Sequence, residues 1–289
     1  MAPTSPPTFR RRRLGGALRR MREEHGLTQQ EVADRIGYRI DRVSRIETGR
    51  TKVDVPALRA MLDVYGVDDL ALRAAMEDMA RNVSQRGWWH SYASFLHLAF
   101  QDFLGLESDA SELCLWESLL VPGLLQTEEY TRGLLAAGVG VVHSSSERID
   151  KLVSVRLERQ QVLEKANPLQ LCTVIGEAAL RNPIGDTGVM RRQLEHILHV
   201  SRLENAHIQI LPLDCGAHLG LDGTFALFEF PDGGRLASLE SLVNSFYLED
   251  DESVQAYSHA FQQIRESALG EEETRRRLVE LGRDLQDCE

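Results

Sequence analysis

The chain has 289 residues, 27 % of them charged and 43 % hydrophobic, with a formal net charge of −11. That length allows two domains, and the composition excludes fibrous, collagen-like and low-complexity classes. No apolar run approaches the ~18–20 residues that span a bilayer. Leu14-Gly15-Gly16-Ala17-Leu18 is cut off at once by Arg19 and Arg20, which is too short for a secretory signal. A cytoplasmic protein with no membrane partner is expected. Cys114, Cys172, Cys215 and Cys288 have no paired spacing, which suits reduced thiols better than a disulfide framework.

The net charge is unevenly spread. Residues 1–52 hold 13 Lys and Arg against 6 Asp and Glu, a balance of +7, and the remainder carries −18. A basic head on an acidic body suits a module that meets a polyanion, joined to a body that does not.

In chain order, residues 1–13 read as a disordered basic arm: a Pro-rich start, then Phe9-Arg10-Arg11-Arg12-Arg13. The arginine run is either a solvated tail or a segment that lies along a polyanion. A first helix is expected over Leu14 to Glu24, with Leu14, Leu18 and Met21 on one face. Thr28, with Glu31 three residues on, has the pattern of a capping box and opens a second helix, Gln29 to Ile36. Gly37 stops it. A third helix runs from Arg39 to Glu47, with Val43 and Ile46 inward, and Gly49 ends it. Asp41, Arg42 and Arg45 occupy its other face, a face suited to something polar and anionic. A fourth helix carries Val55, Leu58, Met61, Leu62 and Tyr65, with Pro56 tolerated in its first turn. A fifth, Asp68 to Val83, leads to a boundary within residues 82–87.

The run Gly26-Leu27-Thr28-Gln29-Gln30-Glu31-Val32-Ala33, the spacing from Ala33 to Gly37, and the ending Ser44-Arg45-Ile46-Glu47-Thr48-Gly49 resemble the helix-turn-helix of the Xre family, the phage-repressor type of DNA-binding domain. The resemblance covers residues 14–67. It implies an all-α, five-helix, lambda-repressor-like domain over residues 14–83 that binds double-stranded DNA. By the same resemblance, Arg39, Ile40, Asp41, Arg42 and Arg45 face the major groove and read bases, where an arginine fork meets guanine O6 and N7 together. Ile40 departs from the polar residue common there, and either touches a thymine methyl or packs inward. Gln29, Arg50 and Lys52 would contact phosphate. Arg22 and Glu47 would form a structural ion pair. A homodimer is expected, because one recognition helix reads only a few base pairs.

Residues 84–289 read as an α+β domain with a small sheet, serving effector binding, partner binding or dimerisation. Trp88-Trp89 reads as a core or interface anchor. The segment from Ala110 reads as a strand, Pro122-Gly123 as a turn and Thr127 as a helix start. Further helices are expected over Ile149 to Lys165, Glu177 to Arg181, Met190 to Glu204, Asp251 to Leu269 and Glu271 to Leu285. Strands are expected over Leu169 to Ile175, His207 to Leu211, Gly223 to Phe230 and Arg235 to Val243, the last pair joined by the Pro231-Asp232-Gly233-Gly234 turn. Trp88-Trp89, Leu106-Glu107, Pro122-Gly123-Leu124-Leu125-Gln126-Thr127 and Arg156-Leu157-Glu158-Arg159-Gln160 together resemble the C-terminal domain of a large actinobacterial group of Xre regulators. That resemblance implies control through the C-terminal domain, by a small acidic protein partner or a small-molecule effector. It also leaves room for an antitoxin-like regulator–antiregulator pair.

No enzyme, metal or cofactor is expected. The chain lacks Gly-x-Ser-x-Gly, a phosphate-binding loop and His-Glu-x-x-His. His196 and His199, with Cys215 and His218, are the nearest approach to a metal set, but the two helical histidines fall off the apolar face. Glu177 and Glu240 are candidates for buried carboxylates with structural roles. The loop from Gly216 to Gly223, with His218 and Asp222, specifies no ligand.

Overall fold

The computed structural model describes residues 9–82, 87–138, 145–240 and 245–286. It divides into two compact units. The first takes the described residues up to His90, with Gln101–Leu106 and Phe230–Gly234; the second takes Ser91–Phe100 and the described residues of Glu107–Glu229 and Arg235–Glu289. The Pro-rich residues 1–8, Cys288 and most of the expected boundary segment lie outside the described residues.

Residues 9–82 of the first unit form the helices α1 (Phe9–Glu24), α2 (Gln29–Ile36), α3 (Ile40–Glu47), α4 (Val55–Val64) and α5 (Leu70–Asn82). They enclose one core in which Leu18, Val32, Ala33, Val43, Leu58, Met61, Leu62, Tyr65 and Met76 are fully buried. α1 begins at Phe9, not at Leu14, so the expected arm is helical from Phe9 to Arg13. Nothing between Phe9 and Leu14 could start a helix at Leu14: there is no cap, glycine or proline, and arginine is a good helix former. Arg13 is 7 % exposed, so it is no part of a free tail.

Two glycines let α1 lie directly on the backbone around α3. A Cβ on Gly15 would fall 2.6 Å from the Glu47 carbonyl oxygen. Gly49 ends the α3 segment at φ 69°, a left-handed conformation that a side chain disfavours, and its Cβ would fall 2.8 Å from the Arg12 nitrogen. The first tight turn is set by chemistry legible in the sequence. The Thr28 backbone N–H donates to Glu31 Oε2 at 2.8 Å, the Glu31 N–H donates to Thr28 Oγ1 at 3.2 Å, and Gly37 closes α2 at φ 69°.

A short 3₁₀ turn, Trp88–Tyr92, buries Trp89, whose ring meets Trp88 edge to face at 5.8 Å. α6 (Leu98–Asp109) follows. The second unit is built on a six-stranded sheet of order β3-β2-β1-β4-β5-β6. β1 (Glu112–Glu117), β2 (Gln170–Gly176) and β3 (Ala206–Leu211) run parallel; β4 (Phe225–Glu229), β5 (Arg235–Glu240) and β6 (Ser245–Leu248) continue it antiparallel. α7 (Glu128–Ala136) and α8 (Ser146–Arg159) connect β1 to β2, and α9 (Glu177–Arg181) and α10 (Thr187–Val200) connect β2 to β3. Parallel strands need such crossovers. α11 (Asp251–Ser267) lays Phe261 and Ile264 on the sheet face carrying Trp116, Cys172, Val174 and Phe225, and α12 (Glu271–Gln286) packs beside α10.

Two readings of this body are corrected. β6 extends the sheet beyond the strands expected, because the four residues Ser245–Leu248 are too short a run to show an alternating pattern. β5 is described as far as Glu240; its expected continuation to Val243 lies outside the described residues. α8 stops at Arg159 and tightens into a 3₁₀ turn over Gln160–Leu163, where the Gln160 side chain is drawn to the Gln126 carbonyl at 2.6 Å.

Candidate nucleic-acid interface

α3 is held by its buried end and shows its other face to solvent. Val43 and Ile46 point into the core, while Arg39, Ile40, Asp41, Arg42 and Arg45 are all exposed. Ile40 is 46 % exposed, which rules out the inward-packing alternative. Arg39 is the N-cap residue of α3 and makes no side-chain capping bond, so its guanidinium is not spent on the helix. Arg50 and Lys52 follow α3 and are exposed as well.

The frame behind this face is a small buried polar network. Arg22 donates through Nε to Glu47 Oε1 at 2.7 Å and through Nη2 to Glu47 Oε2 at 3.0 Å, and its Nη1 donates to the Leu27 carbonyl at 2.8 Å. α1, the turn before α2 and the end of α3 are thereby tied at one point. The Glu47 hydrogen bonds raise the Arg22 pKa and outweigh the burial that would lower it. Burial, and then the Glu47 charge, push the Tyr65 phenol well above its usual range. Such a pair fixes geometry more than it adds net stability.

Gln29 sits differently from a simple phosphate ligand. Its amide Nε2 donates to Glu47 Oε2 at 2.7 Å, so the side chain is a third member of the Arg22–Glu47 network. The first turn of α2 still has free backbone N–H groups, the usual anchor for phosphate at a helix N-terminus. Tyr38 was not singled out from the sequence. The Arg42 guanidinium lies 3.9 Å from its ring centroid, with Asp54 3.6 Å from Arg42 Nη2. Stacking on tyrosine limits the rotamers of a long side chain before it meets a ligand. The spacing of Tyr38 and Arg42, four apart across the start of α3, is the signal that could have found this pair.

In the second unit, the chemistry gathers where α8 meets the end of β1. Glu107 and Arg159, 1 % and 5 % exposed, form a two-pronged pair with Nε–Oε1 2.6 Å and Nη2–Oε2 2.6 Å. Gly123 leaves the space that this requires: a Cβ there would lie 2.7 Å from Arg159 Nη1 and would overlap Arg156 Nη1. Burial and the Glu240 charge push the Glu117 carboxyl from 4.5 up to about 7, against the pull of Arg159 and Arg156. Burial and the neighbouring Arg159 bring Arg156 down to about 10. A carboxyl whose pKa is raised by folding adds stability that is complete below its unfolded value and lost as pH rises through the folded one. The Glu117 contribution is therefore present below pH 4.5 and gone above about 7. Glu117→Gln is expected to flatten the loss of stability with rising pH across that window, measured by urea unfolding at several pH values. An unchanged slope would contradict the assignment.

The other candidates resolve into structure. Glu177 is 2 % exposed; burial pushes its pKa up, but Arg181 and Arg277, at 2.7 and 2.8 Å, hold it below the usual range. His218 accepts from the Gly220 N–H at 3.1 Å and meets Trp116 edge to face, which shapes its own loop. Among the described residues no group of three or more His, Cys, Asp or Glu side chains could hold a metal ion. No helix among them is long and apolar enough to cross a membrane.

An exposed basic helix framed by a capped helix and two glycine stops defines a helix-turn-helix protein, and residues 13–76 match the family described as helix-turn-helix domain. Residues 100–280 match the domain of unknown function DUF5753, and the chain belongs to that family. No curated protein and no solved structure matches it.

Proposed function

We propose that the chain is a sequence-specific transcriptional regulator of the Xre type, from the actinobacterial group with this C-terminal domain. It acts in the cytoplasm and has no catalytic step of its own. The observation that carries the reading is the α3 face: five adjacent exposed side chains, three of them arginines, on a helix whose far end is fixed by Arg22 and Glu47. α3 enters the major groove, Arg39, Asp41, Arg42 and Arg45 meet base edges, and Ile40 meets a thymine methyl. Arg50, Lys52 and the N-terminus of α2 at Gln29 hold phosphates. The chain binds as a homodimer on two half-sites, under control of the C-terminal domain. The acidic body repels phosphate and restrains binding elsewhere.

Selection of bound duplexes from a random pool by the full chain tests this. The reading predicts two copies of one short motif at a fixed spacing, close to a whole number of helical turns. Recovery of sequences without a shared motif would overturn it.

A second reading, in which the body docks a small protein in a regulator–antiregulator pair, draws on Leu213, Leu219 and Leu221. These are 62 %, 50 % and 68 % exposed within one connection of the second unit.

A further inference from the structure

Two thiols lie side by side at the centre of the parallel half of the sheet. Cys114 on β1 is paired in register with Cys172 on β2, and Cys172 is paired in register with His207 on β3. The three side chains therefore form one row on one face, the face that α11 covers. Adjacent strands lie about 4.8 Å apart, within the ~4.4–6.8 Å between Cα atoms that a disulfide spans. Both cysteines are free thiols.

The row is also chemically asymmetric. The neighbouring Cys172 and then burial raise the Cys114 pKa, and its thiol donates to Glu112 Oε1 at 3.5 Å, so that it keeps its proton. The neighbouring Cys114 is the largest cause that lowers Cys172 to about 7; Arg265 on α11 and His207 add to it, against burial and the Glu112 charge. Glu271 on α12 faces His207 from the other side, with its Oε1 2.9 Å from Nδ1. Arg265 also lines an open pocket of about 510 Å³ with Gln209, Gln262, Glu266 and Glu271. Cys114 is half-buried and Cys172 is 6 % exposed. One cysteine is thus poised as the attacking thiolate and its neighbour as the resolving thiol.

We propose that Cys114 and Cys172 are a redox-modification site that closes to a reversible disulfide, with a hydroperoxide as oxidant. The Cys172 thiolate attacks one peroxide oxygen, the O–O bond breaks, and Cys172 becomes a sulfenic acid as the other oxygen leaves as hydroxide or alkoxide. Cys114 sulfur then attacks the Cys172 sulfur; the S–O bond breaks, and the Cys114 proton and the departing hydroxide form water. Two thiols are oxidised by two electrons and one peroxide is reduced. A bridge between side-by-side strands closes with strain, and strained bridges are the readily reduced ones. The site is independent of the DNA reading, which uses no residue of this row.

The test treats the full chain with hydrogen peroxide and maps tryptic peptides without reductant. The expected result is loss of two thiols and a cross-link between residues 87–132, which hold Cys114, and residues 166–181, which hold Cys172, reversed by dithiothreitol. In Cys114→Ser, dimedone should trap a sulfenic acid at Cys172. In Cys172→Ser or Cys172→Ala, whichever keeps the wild-type unfolding midpoint, neither the cross-link nor label at Cys114 should form. Cys114 and Cys172 both still reduced after peroxide, or dimedone at Cys215 ahead of Cys172, would overturn the proposal.

Discussion

Glu47→Ala is expected to cost the helix-turn-helix unit about 3–5 kcal/mol, the range for removing one partner of a buried ion pair, read as a lower urea midpoint. The substitution removes three hydrogen bonds and leaves Arg22 only its longer contact to Glu23, 3.3 Å from Nη2, as a carboxylate partner among those described. Arg22 loses its bonds of 2.7 and 3.0 Å, and Gln29 loses its bond of 2.7 Å. The Arg22 guanidinium stays buried beside the Tyr65 hydroxyl, which has no partner of its own. The cost is a desolvated charge left with only the half-exposed Glu23 near it, not the intrinsic strength of the pair. Joint replacement, Arg22→Met with Glu47→Leu, should recover most of the loss, because well-packed apolar groups often match or exceed a buried pair. A cost under about 1 kcal/mol for Glu47→Ala would place the pair among exposed surface bridges and contradict its structural role.

Glu107→Ala should destabilise the second unit to a similar extent, about 3–5 kcal/mol. Here the cation that loses its two-pronged partner is Arg159, 5 % exposed, with Arg156 of α8 repelling it. Removing Glu107 leaves two guanidiniums beside Gly123 without their two-pronged carboxylate, with the charges of Glu240 and Glu117 as partial offset. The sheet and its crossover helices should open at lower urea while the first unit keeps its own midpoint. Equal loss in both transitions, or no loss, would contradict the local role of the pair.

The head was largely legible because its signals are local. A capping box, a glycine stop and a proline in a first turn each act within four residues, and α2 begins and ends where the sequence places it. The polar network behind α3 was less legible. Gln29 read as a phosphate contact at a helix start; that its side chain reaches Glu47 depends on how α2 and α3 cross. The Arg42 stack on Tyr38 was within reach of spacing alone, but aromatic residues before a helix more often pack inward.

The body shows the opposite pattern. Its marker residues stood out in sequence without a reason, and the structure supplies one. Glu107, Gly123, Arg159 and Gln160 meet in one buried polar cluster, which α6, the turn before α7 and α8 build together. The strand register that sets Cys114 beside Cys172 depends on a crossover of more than fifty residues. No spacing rule carries that information, so the four cysteines read as scattered.

The most direct test of DNA readout by α3 compares Arg42→Ala and Arg45→Ala with the unchanged chain on the selected site and on a random duplex at one salt concentration. Each substitution should weaken the selected site by ~1–3 kcal/mol and relax the preference at one base position, leaving random DNA much less affected. Equal weakening on both duplexes would show that these arginines only neutralise phosphate, and would contradict the assignment of α3 as the reading helix.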